Sequence, residues 1–199
     1  PELEHRRLRA RVCERYGTAV SDGQFMASRD GRSFKRWDEA FIRPGLRPTG
    51  SWAYGDCYQG WGLLETASDV AGAPNELSMF AAEGYWRGKG NRFRRYALRI
   101  DGFVSLHAPM GGGELTTKPF TFAGGRLALN ISTSAGGGAH VEMQSPDGRP
   151  LEGFGLDDCT EIIGDDLAFS VRWRGNAGAM ARRPVRLRFV LRDADLYSY

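Results

Sequence analysis

Glu83 is the residue whose setting best suits acid–base chemistry. The run Leu77 to Trp86 alternates with period two and predicts a strand. On it Glu83 shares a face with Leu77, Met79, Ala81 and Tyr85. A carboxyl group on an apolar face must be paired, hydrogen-bonded or held protonated by an upward pKa shift. A raised acid of this kind protonates the leaving group in glycoside hydrolysis. Tyr85 and Trp86 beside it offer ring faces on which a sugar can stack. A second aromatic, glycine-broken setting is Tyr54-Gly55-Asp56-Cys57-Tyr58. Glycosidases need two carboxyl groups within a few ångströms, and Asp56 and Asp22 are the other candidates. The ligand-binding set is therefore Glu83, Tyr85, Trp86, Asp56 and Tyr54, with no catalytic residue assigned. Each has a structural reading too. Glu83 can be an ion-pair partner of Arg94 or Arg95 on the following strand. Asp22 reads as a turn residue in Ser21-Asp22-Gly23, and Asp56 fits either role.

Other chemistries find no support in the residue pattern. His5, His107 and His140 have no metal-site spacing, and Cys13, Cys57 and Cys159 form neither a ligand set nor a disulfide framework. There is no Gly-x-Ser-x-Gly elbow and no glycine loop followed by Gly-Lys-Ser/Thr. No metal or cofactor is expected. The 27 basic residues against 24 acidic ones are too nearly balanced for a nucleic-acid surface. No apolar run has the length of a membrane span. Asn130-Ile131-Ser132 matches the glycosylation triplet but falls inside a predicted strand, where it is expected to be inert.

The elements that must position these residues are strands. Glycine is abundant, at 27 residues, and long stretches of strong helix formers are absent. A hairpin is expected around Ser28-Arg29-Asp30-Gly31, because Asp-Gly tolerates the positive φ of a tight turn. The basic stretch at residues 1 to 16 fits a helical turn or a loop. Leu77 to Trp86 and Phe93 to Ile100 predict two strands, following the glycine-broken segment Trp52 to Glu65. Past Pro109-Met110-Gly111-Gly112-Gly113 the texture changes to clean alternation. Leu127, Leu129 and Ile131 share a face; so do Val141 and Met143, then Phe169, Val171 and Trp173, then Val185, Leu187, Phe189 and Leu191. Turns are expected at Gly124-Gly125, Gly136 to Gly138, Pro146-Asp147-Gly148 and Gly175-Asn176. Alternation with one buried face predicts a β-sandwich of jelly-roll type. The expected domains are 1–108 and 109–199.

Several runs resemble a known group. Arg15-Tyr16-Gly17-Thr18-Ala19, Ser28-Arg29-Asp30-Gly31, Arg36-Trp37-Asp38-Glu39-Ala40-Phe41-Ile42-Arg43-Pro44-Gly45 and Glu83-Gly84-Tyr85-Trp86 resemble the closing blades of bacterial glycoside-hydrolase-like five-bladed β-propellers, the group that includes families 32 and 43. Arg95 to Ser105 and Arg186 to Tyr197 resemble the C-terminal sandwich appended to them. The Ser-x-Asp-Gly hairpin is similar to the shortened Asp-box of carbohydrate-active propellers. The resemblance implies an all-β chain: the last blades of a five-bladed propeller, then a jelly-roll-type sandwich. It implies a glycan as substrate or ligand, and further blades upstream as partners. The opening Pro1 fits a piece of a longer protein. It also implies that the catalytic groups lie on the first three blades, outside this chain, so the chain alone is expected to be inactive. The competing reading is a non-catalytic carbohydrate-binding or structural module.

Overall fold

A computed structural model of the chain describes residues 7–14, 20–46, 57–84 and 92–199. The protein is all-β, about 50% strand and 6% helix, in several antiparallel sheets of which none is closed. Residues 7–10 form a single helical turn. The chain divides into two compact units, Pro1–Leu98 and Arg99–Tyr199. The expected boundary at 108/109 lies inside the second of these. The reason is pairing: Leu106–Ala108 hydrogen-bonds to the C-terminal strand, Ala108 opposite Ala194.

In the first unit β1 (Gly23–Ser28) and β2 (Phe34–Ile42) form the expected hairpin. Ser28 pairs with Phe34, so the loop has five residues rather than two. Gly31 alone takes the positive φ, at 70°. Asp30 instead works through its carboxylate, which accepts from Arg32 N at 2.8 Å, Ser33 N at 2.7 Å and Ser28 Oγ at 2.9 Å. The backbone bonds from Ser33 and Arg32, then the Ser28 hydroxyl, hold the Asp30 carboxyl far below its ordinary value. A depressed folded-state pKa contributes stability above the unfolded value and loses it as pH falls. Asp30→Ala should therefore speed amide exchange at Arg32 and Ser33 at pH 7, and the difference from wild type should persist down to about pH 3, shrinking only in stronger acid as the folded-state carboxyl takes up its proton. Equal exchange in the two proteins at pH 7 would refute this locking role.

The other strands of the first unit are β3 (Tyr58–Gln59), β4 (Leu64–Thr66), β5 (Glu76–Glu83) and β6 (Arg92–Arg99). β3 and β4 pair with successive parts of β5, Tyr58 opposite Ala82 and Leu64 opposite Ser78. They are one interrupted strand along one edge, with the Gly60–Leu63 segment bulged out between them. β6 pairs with β5 on the other side. β5 ends at Glu83 because Gly84 turns out with φ 73°; the expected continuation to Trp86 lies outside the described residues. Ile42, Cys57 and Met79 form a small buried core with Phe41, Tyr96 and Leu98 against it.

The second unit is built on β9 (Ala128–Gln144) and β11 (Arg186–Ser198), antiparallel neighbours at the centre of a five-stranded sheet. β10 (Asp165–Ser170) flanks β9, while β7 (Leu106–Ala108) and β8 (Gly113–Thr116) share the outer edge of β11. Leu187, Phe189 and Leu191 face Met143, Val141 and Ala139 across the ladder, all buried. Period-two alternation thus places the core as expected. It then breaks: Asp193 takes φ 42°, the register slips, and the buried set moves to Ala194 and Leu196. One extra residue in a strand flips every later side chain to the other face.

Gly136 to Gly138, expected as a turn, lies within the single 17-residue strand β9. Thr133 pairs with Ala194 and Gly138 with Arg192, so residues 134–137 bulge out opposite Asp193. Gly137 is there because a Cβ would lie 2.4 Å from the Asp193 carbonyl oxygen and 2.6 Å from that of Arg192. Glycine inside a strand marks close backbone approach as readily as a turn. The expected strand through Phe169, Val171 and Trp173 also differs, since β10 stops at Ser170. Trp173 instead bridges Cys159 and sends its indole N–H to the Val141 carbonyl at 2.6 Å, with Phe154 edge-on at 5.8 Å. The core opposite the sheet is closed by such segments, held by the isolated bridges Phe120–Val185, Ala139–Ile162 and Cys159–Trp173. Asn130 is buried and donates to the Ile100 carbonyl at 2.8 Å, so its amide is engaged inside the fold.

Candidate functional site

The β5–β6 ladder carries two polar clusters, one on each face. Alternation along β5 sends Met79, Ala81 and Glu83 to one side, and Glu76, Ser78 and Phe80 to the other. On the first side the Glu83 carboxylate is gripped by three donors from β6. Arg94 Nε lies 2.6 Å from Oε1, Tyr96 Oη 3.0 Å from Oε1, and Arg92 Nε 2.9 Å from Oε2. The Glu83 side chain is only 15% exposed, whereas the arginines are half in solvent. Burial alone would raise its pKa, but the bonds from Arg94, Tyr96 and Arg92 outweigh burial and lower it. The expectation of a raised proton donor therefore gives way to an ionised carboxylate at neutral pH. The Tyr96 phenol moves the other way: burial, the bond to Glu83 and the nearby Cys57 thiol all keep it protonated.

On the opposite side Arg95 gathers four partners. Its Nε donates to Ser78 Oγ at 2.7 Å and its Nη1 to Asp69 at 2.8 Å. Its Nη2 reaches Thr66 Oγ1 at 3.2 Å and also pairs with Glu76. Thr66 and Ser78 share a further bond of 2.8 Å. Arg95 and Arg94 were alternative partners of Glu83 in the sequence; alternation decides for Arg94, because Arg95 points the other way. Around this network the same face leaves large rings open. Tyr58 sits opposite Ala82, Phe80 follows two residues after Ser78, and Phe93 precedes Arg95 by two. They are 47%, 41% and 73% exposed, and Trp61 in the adjoining bulge is fully so.

Of the residues singled out from the sequence, only Glu83 is described in a site. Tyr54, Asp56, Tyr85 and Trp86 lie outside the described residues. Asp22 is not in a turn but at the open end of the first hairpin, 3.7 Å from Arg43 Nε. His107 and Ser105 both bond Asp195, at 3.2 and 2.7 Å, rather than each other, so they form no nucleophile–base pair. Among the described residues no group of three or more His, Cys, Asp or Glu could hold a metal ion.

The open ring face was not anticipated. Its signal was present: Tyr58, Phe80 and Phe93 are exposed aromatics on β3, β5 and β6. A second Ser-x-Asp-Gly loop was also missed as a repeat of the first. In Ser145-Pro146-Asp147-Gly148 the Ser145 hydroxyl donates to Asp147 at 2.5 Å and Gly148 has φ 89°. The motif thus serves as a turn device in both units.

No protein-family model matches the chain, and no curated protein or solved structure is significantly similar to it. Function has to be read from the residues and their geometry.

Proposed function

We propose that this chain is the C-terminal part of a glycan-acting protein, and that it holds the glycan rather than cleaving it. In this reading the sheets of the first unit are closing blades of a five-bladed propeller, and the second unit is its appended jelly-roll-type sandwich. The observation that carries it is the open aromatic face of β3, β5 and β6 around the Arg95 network. Sugar recognition combines apolar C–H faces stacked on rings with hydroxyls bonded to fixed polar groups. Tyr58, Phe80 and Phe93 supply rings. Arg95, Glu76 and Asp69 supply donors and acceptors already held in place by one another. The clamped Glu83 supports binding over hydrolysis, because an ionised acid between two arginines has no proton to give a leaving group.

Retardation of the 199-residue protein in gels cast with soluble polysaccharides tests this. Mobility should fall with at least one glycan. Tyr58→Ala and Phe80→Ala should each weaken binding several-fold, as loss of about 1 kcal/mol of stacking implies, while leaving the far-ultraviolet spectrum unchanged. The same protein should turn over no aryl glycoside. Turnover abolished by Glu83→Gln would overturn the proposal, as would unchanged mobility across a broad glycan panel.

A further inference from the structure

A pocket in the second unit is chemically unlike the face just described. It lies at the end of the sheet's apolar face, where Met143 and Leu187 pair across β9 and β11. Phe120, Phe122 and Leu127 also line it, and its volume is about 350 Å³. That is the small end of the roughly 300–1,000 Å³ usual for ligand pockets. Phe120 is fixed there by its two backbone bonds to Val185, both 2.9 Å. Leu127 is fixed by its carbonyl, which accepts from Val171 N at 3.0 Å. The walls are thus tied to the sheet on one side and to the covering segments on the other, so the space is built rather than left by loose packing.

Arg126 is the one charged side chain at this pocket. Every arginine of the Glu83 and Arg95 clusters has a carboxylate, and so does Arg188, which grips Glu114 and Glu142. Arg126 has no hydrogen-bond or ion-pair partner among the described residues. An apolar cavity with a single unpaired guanidinium at its rim is complementary to a small molecule with an apolar body and one anionic end. A guanidinium favours a carboxylate because its planar fork matches two oxygens. Aromatic walls favour a ring over a flexible chain, since ring contacts add to area burial and a ring has little rotamer freedom to lose.

We infer that this pocket binds a small aryl carboxylate, the ring between Phe122 and Leu127 and the carboxylate on Arg126. The inference is independent of glycan binding by the first unit. A substituted polysaccharide bearing aryl acid groups and a free aryl acid share this chemistry, and the test uses the free acid.

The probe is 3-phenylpropanoate, titrated into the isotope-labelled 199-residue protein and followed by NMR. Its uncharged amide is the control. Methyl signals of Leu127, Met143 and Leu187 should shift and saturate, with a Kd on the order of 0.1–1 mM for a ligand of this size. The amide should bind about tenfold more weakly, the scale of one charge-assisted pairing. Arg126→Gln should bring the acid down to the level of the amide. Ala123→Trp, which fills the rim, should abolish binding of both. Arg126 and Ala123 are both exposed, so neither change touches the core. Absence of saturable shifts in the folded protein would overturn the inference. So would equal affinity for acid and amide, or binding unchanged by Arg126→Gln or by Ala123→Trp. Glycan retardation of the same variants should be unaltered, which separates failure here from failure of the glycan reading.

Discussion

Phe189→Ala is expected to destabilise the second unit by about 3–5 kcal/mol, the usual cost of emptying a fully buried aromatic site. Phe189 has no exposure at all. It is the fourth residue of β11, opposite Val141 on β9 and Leu115 on β8, with the Tyr199 ring 5.3 Å away. Strands on both sides are pinned by the same backbone, so the site has little freedom to collapse around the hole. A domain holds only about 5–15 kcal/mol in total, so a loss of this size leaves the unit near its unfolding threshold at 37 °C. Urea melts followed by amide exchange of β9 and β11 would measure it. Ile163→Ser, at a half-exposed position, is the control and should stay within about 0.5 kcal/mol of wild type. A Phe189→Ala loss under about 1 kcal/mol would mean that the ladder face is not a packed core.

Glu83→Ala is expected to cost the first unit about 2 kcal/mol at pH 7. Three donors converge on one largely covered carboxylate, and bonds to charged groups contribute more than neutral ones. Because Arg92 and Arg94 are half in solvent, water rehydrates them once the carboxylate is gone, which keeps the cost well below that of a fully buried pair. Tyr96 Oη loses its acceptor in a more enclosed place and contributes the rest. The effect has a pH signature. The folded carboxyl is depressed below its ordinary value of 4.5, so the native state binds fewer protons than the unfolded chain in that range. Its stabilisation is present above about pH 4.5 and is lost as pH falls through the folded-state pKa. The difference between wild type and Glu83→Ala should be full at pH 7 and 6 and shrink steadily below about pH 4. Melts at four pH values would show it. A difference that grew on acidification would mean a raised pKa and would restore Glu83 as a proton donor.

The two residues also mark how the chain divides between what its sequence determined and what its folding decided. Alternation placed Leu129, Ile131, Val141, Met143, Leu187, Phe189 and Leu191 correctly in the core, because a strand half in water must repeat every two residues. Asp-Gly located the turns at both Asp30 and Asp147, because the requirement there is local: one glycine at positive φ and one carboxylate within reach of the serine hydroxyl two residues before it. The same local rule misread Gly136 to Gly138. Gly137 among them answers to the backbone of Arg192 and Asp193, far along the chain, and no local pattern records that approach. The phase slip at Asp193 is likewise invisible until β9 and β11 are paired. For Glu83 the sequence offered two arginines as partners and a raised or a lowered pKa. Its own strand could not choose. The choice came from β6, whose alternation turns Arg92, Arg94 and Tyr96 toward the carboxylate and Arg95 away from it. Charge state is set by neighbours in space, and only the tertiary structure supplies those neighbours.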